Sequence, residues 1–380
     1  MTQDVSCTIS EHFGSLKDPR TGRMVDHYLI EILTIAICGV ICGADDWVAI
    51  EEFGRAKEQW FRTFLHLPNG IPSHDTFRRV FIQLEPETFG ACFVSWMQGV
   101  AQLSQGEIVP IDGKCLRRSY DRGAGKSAIY MDSAWAASNR LVLGQRKTDE
   151  KSNEITAIPE LLSRLVLQGC IVTIDAIGCQ TTIAQQIIEQ EADYVLALKG
   201  NQGTLHQDVQ SLFAYAFEQE FQDIEHDTHQ TVDKGHGRLE IRRYWTIFDP
   251  EFLTWLDPKG KWAGLASIGR VEAQRILADE VTSEIRYYIS SLAGDAVQFG
   301  QAVRTHWQIE NCLHWVLDIS FREDDCRIRT GYGPQNMAVL RHIALNLLRQ
   351  EQTAKCGVKN KRLKAAWDND YLLTVLSHLS

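Results

Sequence analysis

Ile171-Val172-Thr173-Ile174-Asp175-Ala176-Ile177-Gly178 is an apolar, β-branched run that stops at an aspartate, with a glycine three residues on. Earlier in the chain, Val109-Pro110-Ile111-Asp112-Gly113-Lys114 has the same form. Each reads as a short strand ending in a carboxylate. Functional groups in open α/β sheets gather at the carboxyl ends of strands. If these two strands are neighbours, Asp112 and Asp175 converge on one side, and the glycine after each lets the chain turn away.

The surrounding pattern supports such a sheet. Strands are expected over Glu107–Asp112, Ala128–Ala137 and Leu141–Thr148, then an amphipathic helix over Ile155–Leu167. Strand Cys170–Asp175, helix Thr181–Glu191 and strand Asp193–Lys199 follow. Three opening strands suit an antiparallel meander, and the later strand–helix–strand alternation requires parallel pairing through crossovers. The expected class is α/β, a mixed five-stranded sheet with helices.

The flanks differ. Residues 1–104 show helical periodicity over Tyr28–Cys42, Trp47–Leu65, Ser73–Leu84 and Pro86–Leu103, and Ser73 is a good N-cap after a Pro/Gly turn. This predicts an all-helical N-terminal domain. Residues 105–350 would form the catalytic domain, with a β-rich insertion at about 204–290 carrying strands Leu239–Phe248, Gly264–Ala273 and Ile285–Ser290. Helical spacing returns over Ala296–Phe321 and Asn336–Gln350, before a basic tail and helix over 351–380.

The chain has 380 residues, 44% hydrophobic and 23% charged, which describes an ordinary globular protein of two or three domains. No apolar run is long enough to span a bilayer, and the N-terminus lacks signal-peptide character, so a cytoplasmic protein with no membrane partner is expected. Ten cysteines occur without a CxxC pair or zinc spacing and read as free thiols. The net charge of −10 opposes DNA binding, but distribution matters more than the sum. Basic residues cluster as Arg117, Arg118, Arg122 and Lys126 after Asp112, and as Lys355, Lys359, Lys361, Arg362 and Lys364 in the tail. Either cluster reads equally well as a solvated face.

Two converging carboxylates repel unless one binds a proton or both bind a cation. Oxygen-only ligands suit Mg²⁺ or Mn²⁺, and two such ions about 4 Å apart promote phosphoryl displacement. A third carboxylate is required. Glu310 is a candidate, in the apolar-faced helix around Trp307, Glu310 and His314, where a pairing of Glu310 with His314 at i+4 is an ordinary alternative. Asp318 and the trio Glu323, Asp324 and Asp325 are rivals that spacing leaves open. From residues alone the reading stops at a metal-dependent nuclease. His226, His229 and His236 fit no zinc spacing and read as a solvated loop. No GxSxG elbow or phosphate-cradling loop is present.

The chain resembles the H-repeat-associated, Rhs-linked proteins, a branch of the DDE insertion-sequence transposases. The resemblance runs nearly the whole length. It rests on Cys42–Trp47, Asn69–Thr76, Ile111–Lys114, Lys147–Leu162, Asp175–Gln180, Leu198–Gly203, Gly235–Arg238 and the Trp307/Glu310/His314-Trp315 helix. It implies an RNase H-like core with metal ligands Asp112, Asp175 and Glu310, selecting Glu310 over its rivals. It further implies magnesium-dependent cutting at terminal inverted repeats and joining of 3′ ends to target DNA, with a homodimer in the DNA complex. A non-catalytic DNA-binding relative and a nuclease without strand joining are the alternatives.

The sequence departs from the family in one respect. Val303, His306 and Leu317 stand where related transposases often carry Tyr, Arg and Lys around the glutamate. His306, Arg304 or Arg322 is expected to contact DNA instead. Lys114, Arg117, Arg118, Lys359, Lys361 and Arg362 are further expected contacts, and Trp307 and Trp315 are expected to pack in the core, with stacking on a base as the alternative.

Overall fold

The computed structural model describes residues 9–20, 25–101, 103–120, 125, 127–148, 154–235, 237–277 and 280–379. Arg122, Lys126 and His236, and residues 149–153 of the Lys147–Leu162 stretch, lie outside them. Strands β1 (Ile108–Cys115), β2 (Tyr130–Ala136) and β3 (Leu141–Thr148) form the antiparallel meander. β4 (Ile171–Ile174) lies parallel to β1, with Ile108 opposite Ile171 and Ile111 opposite Ile174, and parallel to β5 (Asp193–Leu198) on its other side.

The insertion does not form a unit apart from this sheet. β6 (His226–Gly235), β7 (Arg238–Ile247), β8 (Ser267–Leu277) and β9 (Glu280–Ser290) are sequential antiparallel strands, and β9 pairs with β5. The result is a nine-stranded mixed sheet in the order β3-β2-β1-β4-β5-β9-β8-β7-β6, in which the insertion strands extend the sheet formed by the first five. The physical reason is that β5 would otherwise expose a row of unpaired backbone groups, which β9 takes up. β6 replaces the expected histidine loop. It is mostly exposed and polar, so it carries no apolar alternation.

Helices cover and flank this sheet. They include α1 (Leu29–Ile41), α2 (Trp47–Ala56), α3 (His74–Gln83) and α4 (Pro86–Val100). The long helix expected from Trp47 ends at Ala56, followed by a separate turn, Glu58–Phe61. The Asp46 side chain caps α2 by accepting from the Ala49 N–H at 2.8 Å, and Ser73 caps α3 from the Thr76 N–H. In the middle of the chain, α5 (Glu154–Leu162), α6 (Thr181–Glu189) and α7 (Gly203–Glu218) cover one face of the sheet. α8 (Ala296–His306) covers the other, its Phe299, Ala302 and Val303 packing on Ile171, Val195, Val271 and Tyr288. Then come α9 (Trp315–Phe321), α10 (Gly333–Gln350), α11 (Val358–Trp367) and α12 (Asn369–Leu376).

The N-terminal helices do not close a core of their own. Ile37, Phe81, Phe93 and Trp96 share one continuous core with Leu340, Ile343 and Leu347 of α10, Leu372 of α12 and Trp135 and Val142 of the sheet. α10 is buried almost all round, so its polar residues must be paired. Asn336 donates to the Phe81 and Leu84 carbonyls, and Asn346 exchanges two 2.9 Å hydrogen bonds with the Val142 backbone. Among the described residues no helix is long and apolar enough to cross a membrane, and the nine cysteines are free thiols.

Candidate active site

Strand alternation decides where the aspartates point. Ile111 and Ile174 pack under α5 and α6, so Asp112 and Asp175, the next residues on adjacent parallel strands, project to the α8 face. Strands in a sheet lie about 4.8 Å apart, so the two carboxylates are neighbours. Asp175 directly follows the end of β4, as expected. Asp112 does not end its strand: β1 continues to Cys115, and Asp112 pairs with Ser133 of β2. The turn attributed to Gly113 is therefore not made. Gly178 is small because a Cβ there would meet the Ile174 side chain.

The α8 helix is capped by Asp295, which accepts from the Val297 and Gln298 N–H groups, and it runs on almost unbroken to Phe321. Within this run Glu310–His314 is a π-helical segment, a local irregularity of the kind that recurs at functional sites. It brings Glu310 and His314 to Asp112. His314 Nδ1 lies 3.3 Å from Glu310 Oε2 and 3.6 Å from Asp112 Oδ2. Ligand atoms of Asp112, Glu310 and His314 all fall within 4.8 Å of one another, a group that could hold a metal ion. Asp175 is not in that group. Its Oδ1 accepts the Ile177 N–H at 3.0 Å, and its half-buried carboxylate walls a cavity of about 340 Å³ with Lys199, His206, Tyr287 and Trp307.

His314 was visible in the sequence only as a helical partner of Glu310, because no spacing ties it to a strand two hundred residues away. It is buried, and among the described residues its Nε2 has no hydrogen-bond partner. The less costly tautomer places the proton on Nδ1, where the Glu310 carboxylate accepts it and Asp112 lies 3.6 Å away. Coordination through Nδ1 would instead strand an Nε2–H without an acceptor. Burial pushes the Asp112 carboxyl above its ordinary range; His314 opposes this, and the Asp175 and Glu310 charges add to it. Such a like-charge group of hard oxygen donors fits a divalent cation, which would relieve the repulsion. On the opposite face of the sheet, Asp132 is buried and bonded to Thr148. Burial, then the Asp112 and Asp175 charges, push it up to about 6 against that hydrogen bond.

The expected DNA contacts separate into two sets. Lys361 and Arg362 are buried and are removed from that role. Lys361 Nζ donates to the Leu348 and Glu351 carbonyls, and Arg362 donates to the Val40 and Ser320 carbonyls. Lys114 is also internal, bonded to Asp318 and, at 2.8 Å, to Glu323. His306 is buried against Thr173, Nδ1 to Oγ1 at 3.0 Å, and burial lowers it to about 4, so it is neutral and carries no charge toward a phosphate at pH 7. Exposed side chains remain at Arg117, Arg118, Arg304, Arg322 and Lys359. Arg117 faces Asp324 at 3.3 Å, while Arg118 and Arg322 face Asp325 at 3.4 and 3.5 Å. All four rival acids are therefore in ion pairs. Trp307 and Trp315 are 43% and 57% exposed, not packed in the core, and the Arg286 guanidinium lies 4.2 Å over the Trp307 ring.

Asp112 and Glu310, with His314 between them, are thus a group whose donors could hold a divalent cation. Residues 103–347 match the family model described as Transposase DDE domain, and residues 10–97 match DDE_Tnp_1-associated. The chain is 41% identical over 373 residues to "H repeat-associated putative transposase YhhI" of Escherichia coli K12, covering 97% of each. It is 41% identical to "Putative transposase YncI" of Escherichia coli O157:H7, covering 98% of this chain and 95% of that one. A shorter K12 relative, "H repeat-associated putative transposase YbfD", is 42% identical over 64% of this chain. The chain belongs to the DDE transposase family, among the H-repeat-associated members.

Proposed function

We propose that this chain is a DNA transposase that cuts at the terminal inverted repeats of its element and joins the freed 3′ ends to target DNA. The observation that supports the proposal is the grouping of Asp112 with Glu310 and His314, with Asp175 following the parallel strand next to that of Asp112. Strands β3-β2-β1-β4-β5 are read as an RNase H-like core, and β6 to β9 as the insertion that precedes the glutamate helix.

Asp112, Asp175 and Glu310 would hold divalent ions, Mg²⁺ or Mn²⁺, which when bound lower the pKa of water or a 3′-hydroxyl and neutralise charge on the leaving oxygen. His314 orients Asp112 and Glu310 through Nδ1. The half-buried position of Asp112 limits water around its carboxylate and strengthens each interaction there. Arg117, Arg118, Arg304, Arg322 and Lys359 are the proposed contacts to the phosphate backbone, in a double-stranded DNA complex of two protomers acting in the cytoplasm. The first four exchange acidic partners for phosphates when DNA arrives.

The test is an assay of purified protein with labelled end DNA, a plasmid target and Mg²⁺ or Mn²⁺. Metal-dependent nicking followed by strand-joined product is expected. Nicking without joined product reduces the protein to a nuclease, and binding without nicking reduces it to a non-catalytic DNA-binding relative.

A further inference from the structure

Two parallel rows face each other across the site. On β1, Asp112 and Lys114 alternate onto the same face. On the helix, Glu310, His314 and Asp318 follow at four-residue intervals. Asp112 meets Glu310 and His314, and one step further Lys114 meets Asp318. The second step continues inward: Lys114 also bonds Glu323, whose other oxygen lies 3.6 Å from Arg341 Nη1 in α10. Lys114, Glu323 and Arg341 have side chains 12%, 2% and 2% exposed, and Asp318 is 29% exposed. Two cations and two anions balance.

Stability alone does not account for this array. Removing paired charges from water costs about as much as their attraction returns, and apolar residues of equal volume often replace such groups without loss. What the array does supply is direction. Two charge-assisted hydrogen bonds from Lys114 join β1 to the glutamate helix and the Arg322–Cys326 turn, and the Glu323–Arg341 ion pair extends the array to α10, one strand step from the carboxylates. Apolar packing would tolerate a slip of the helix along β1, whereas Lys114 between Asp318 and Glu323 does not.

We propose that Lys114, Asp318, Glu323 and Arg341 form a positioning brace that sets the spacing between Asp112 and Glu310, with Lys114 as its keystone. Lys114 is a positioning residue that never meets DNA, in contrast to the phosphate contact its place after Asp112 suggested. The proposal rests on the reading of Asp112 and Glu310 as metal ligands, and the experiment separates the two.

Mn²⁺ binding to the full chain without DNA is titrated by electron paramagnetic resonance, alongside amide hydrogen exchange over 110–116 and 308–319. Lys114→Met is expected to weaken Mn²⁺ binding at least tenfold and to raise exchange in both segments together. Asp318→Asn, at a partly exposed position, keeps the fold and is expected to weaken binding about threefold, carrying the test if Lys114→Met does not fold. Arg362→Met, another buried cation in the same core, is expected to lower Tm with Mn²⁺ affinity unchanged. In the cleavage assay Lys114→Met lowers kcat and leaves KM for DNA within about twofold, whereas a phosphate contact would raise KM in a salt-dependent way. Parental Mn²⁺ affinity and parental exchange in both Lys114→Met and Asp318→Asn overturn the brace. A parent chain that binds no Mn²⁺ overturns the metal reading instead, while the exchange data still decide whether the brace couples strand and helix.

Discussion

The two halves of the nine-stranded sheet are built on opposite terms. In β1, β4 and β5 the strands run parallel and are buried on both faces, under α5 and α6 on one side and α8 on the other. In β6 to β9 every pairing is antiparallel, and the strands become exposed toward their hairpin ends: Val232, Leu277, Val281 and Ile285 are 45–63% exposed. The parallel half is a mount that carries Asp112 within β1 and Asp175 directly after β4. The antiparallel half is an arm, seated at its root by Tyr244, Val271 and Tyr288 against Phe299 and Val303 of α8. The proposed site and the exposed arm thus occupy different parts of one continuous hydrogen-bonded sheet.

That contrast can be broken most sharply at the mount. Asp112→Asn, Asp175→Asn and Glu310→Gln should each cut metal-dependent cleavage by on the order of 10³-fold, about 4 kcal/mol of barrier. Thermal melts should stay near the parent, since each change removes a repelling charge. Cleavage within tenfold of the parent in all three would remove the carboxylates from the chemistry.

Acid should loosen the mount before the arm. His306 and His342 are both lowered to about 4, chiefly by burial. The unfolded chain then binds more protons than the folded one between pH 6.5 and 4, so stability falls as pH falls through that window, by up to about 3 kcal/mol for each histidine. Asp132, raised to about 6, works in the opposite sense and offsets part of one histidine. Hydrogen exchange at pH 5 should rise around His306 and in α10 ahead of β7 and β8. The double variant His306→Gln, His342→Gln should flatten this dependence, and an unchanged pH profile would remove these histidines as its cause.

Smaller effects map the arm itself. At its root Gly269 lies under the Phe299 ring, which a Cβ would overlap. Gly269→Ala should destabilise by about 1–3 kcal/mol in chemical denaturation, through overpacking. At its tip Val281→Thr should change stability by less than about 0.5 kcal/mol. Equal effects at root and tip would mean that the arm is packed uniformly along its length.

The apolar runs ending at Asp112 and Asp175 determined the parallel strands by themselves, because a strand buried on both faces must be apolar throughout. Helical periodicity likewise placed α1, α3, α4 and α8, and the Ser73 cap was readable from residue type. The resemblance, not spacing, singled out Glu310 among the acids, since Asp318 and the Glu323–Asp325 trio differ from it only in their partners. Those partners are tertiary facts: Lys114, Arg117, Arg118, Arg322 and Arg341 come from distant positions in the chain. The same holds for Lys361 and Arg362, whose basic stretch looks like a solvated face until α11 packs them onto backbone carbonyls. β6 left no trace in the sequence because an exposed edge strand takes its shape from the backbone of β7 and needs no apolar pattern of its own. Local chemistry thus determined which segments become strands and helices, where burial selects residue type. Only the assembled structure decided which charges serve the site and which hold the fold, because charge pairing depends on through-space distance.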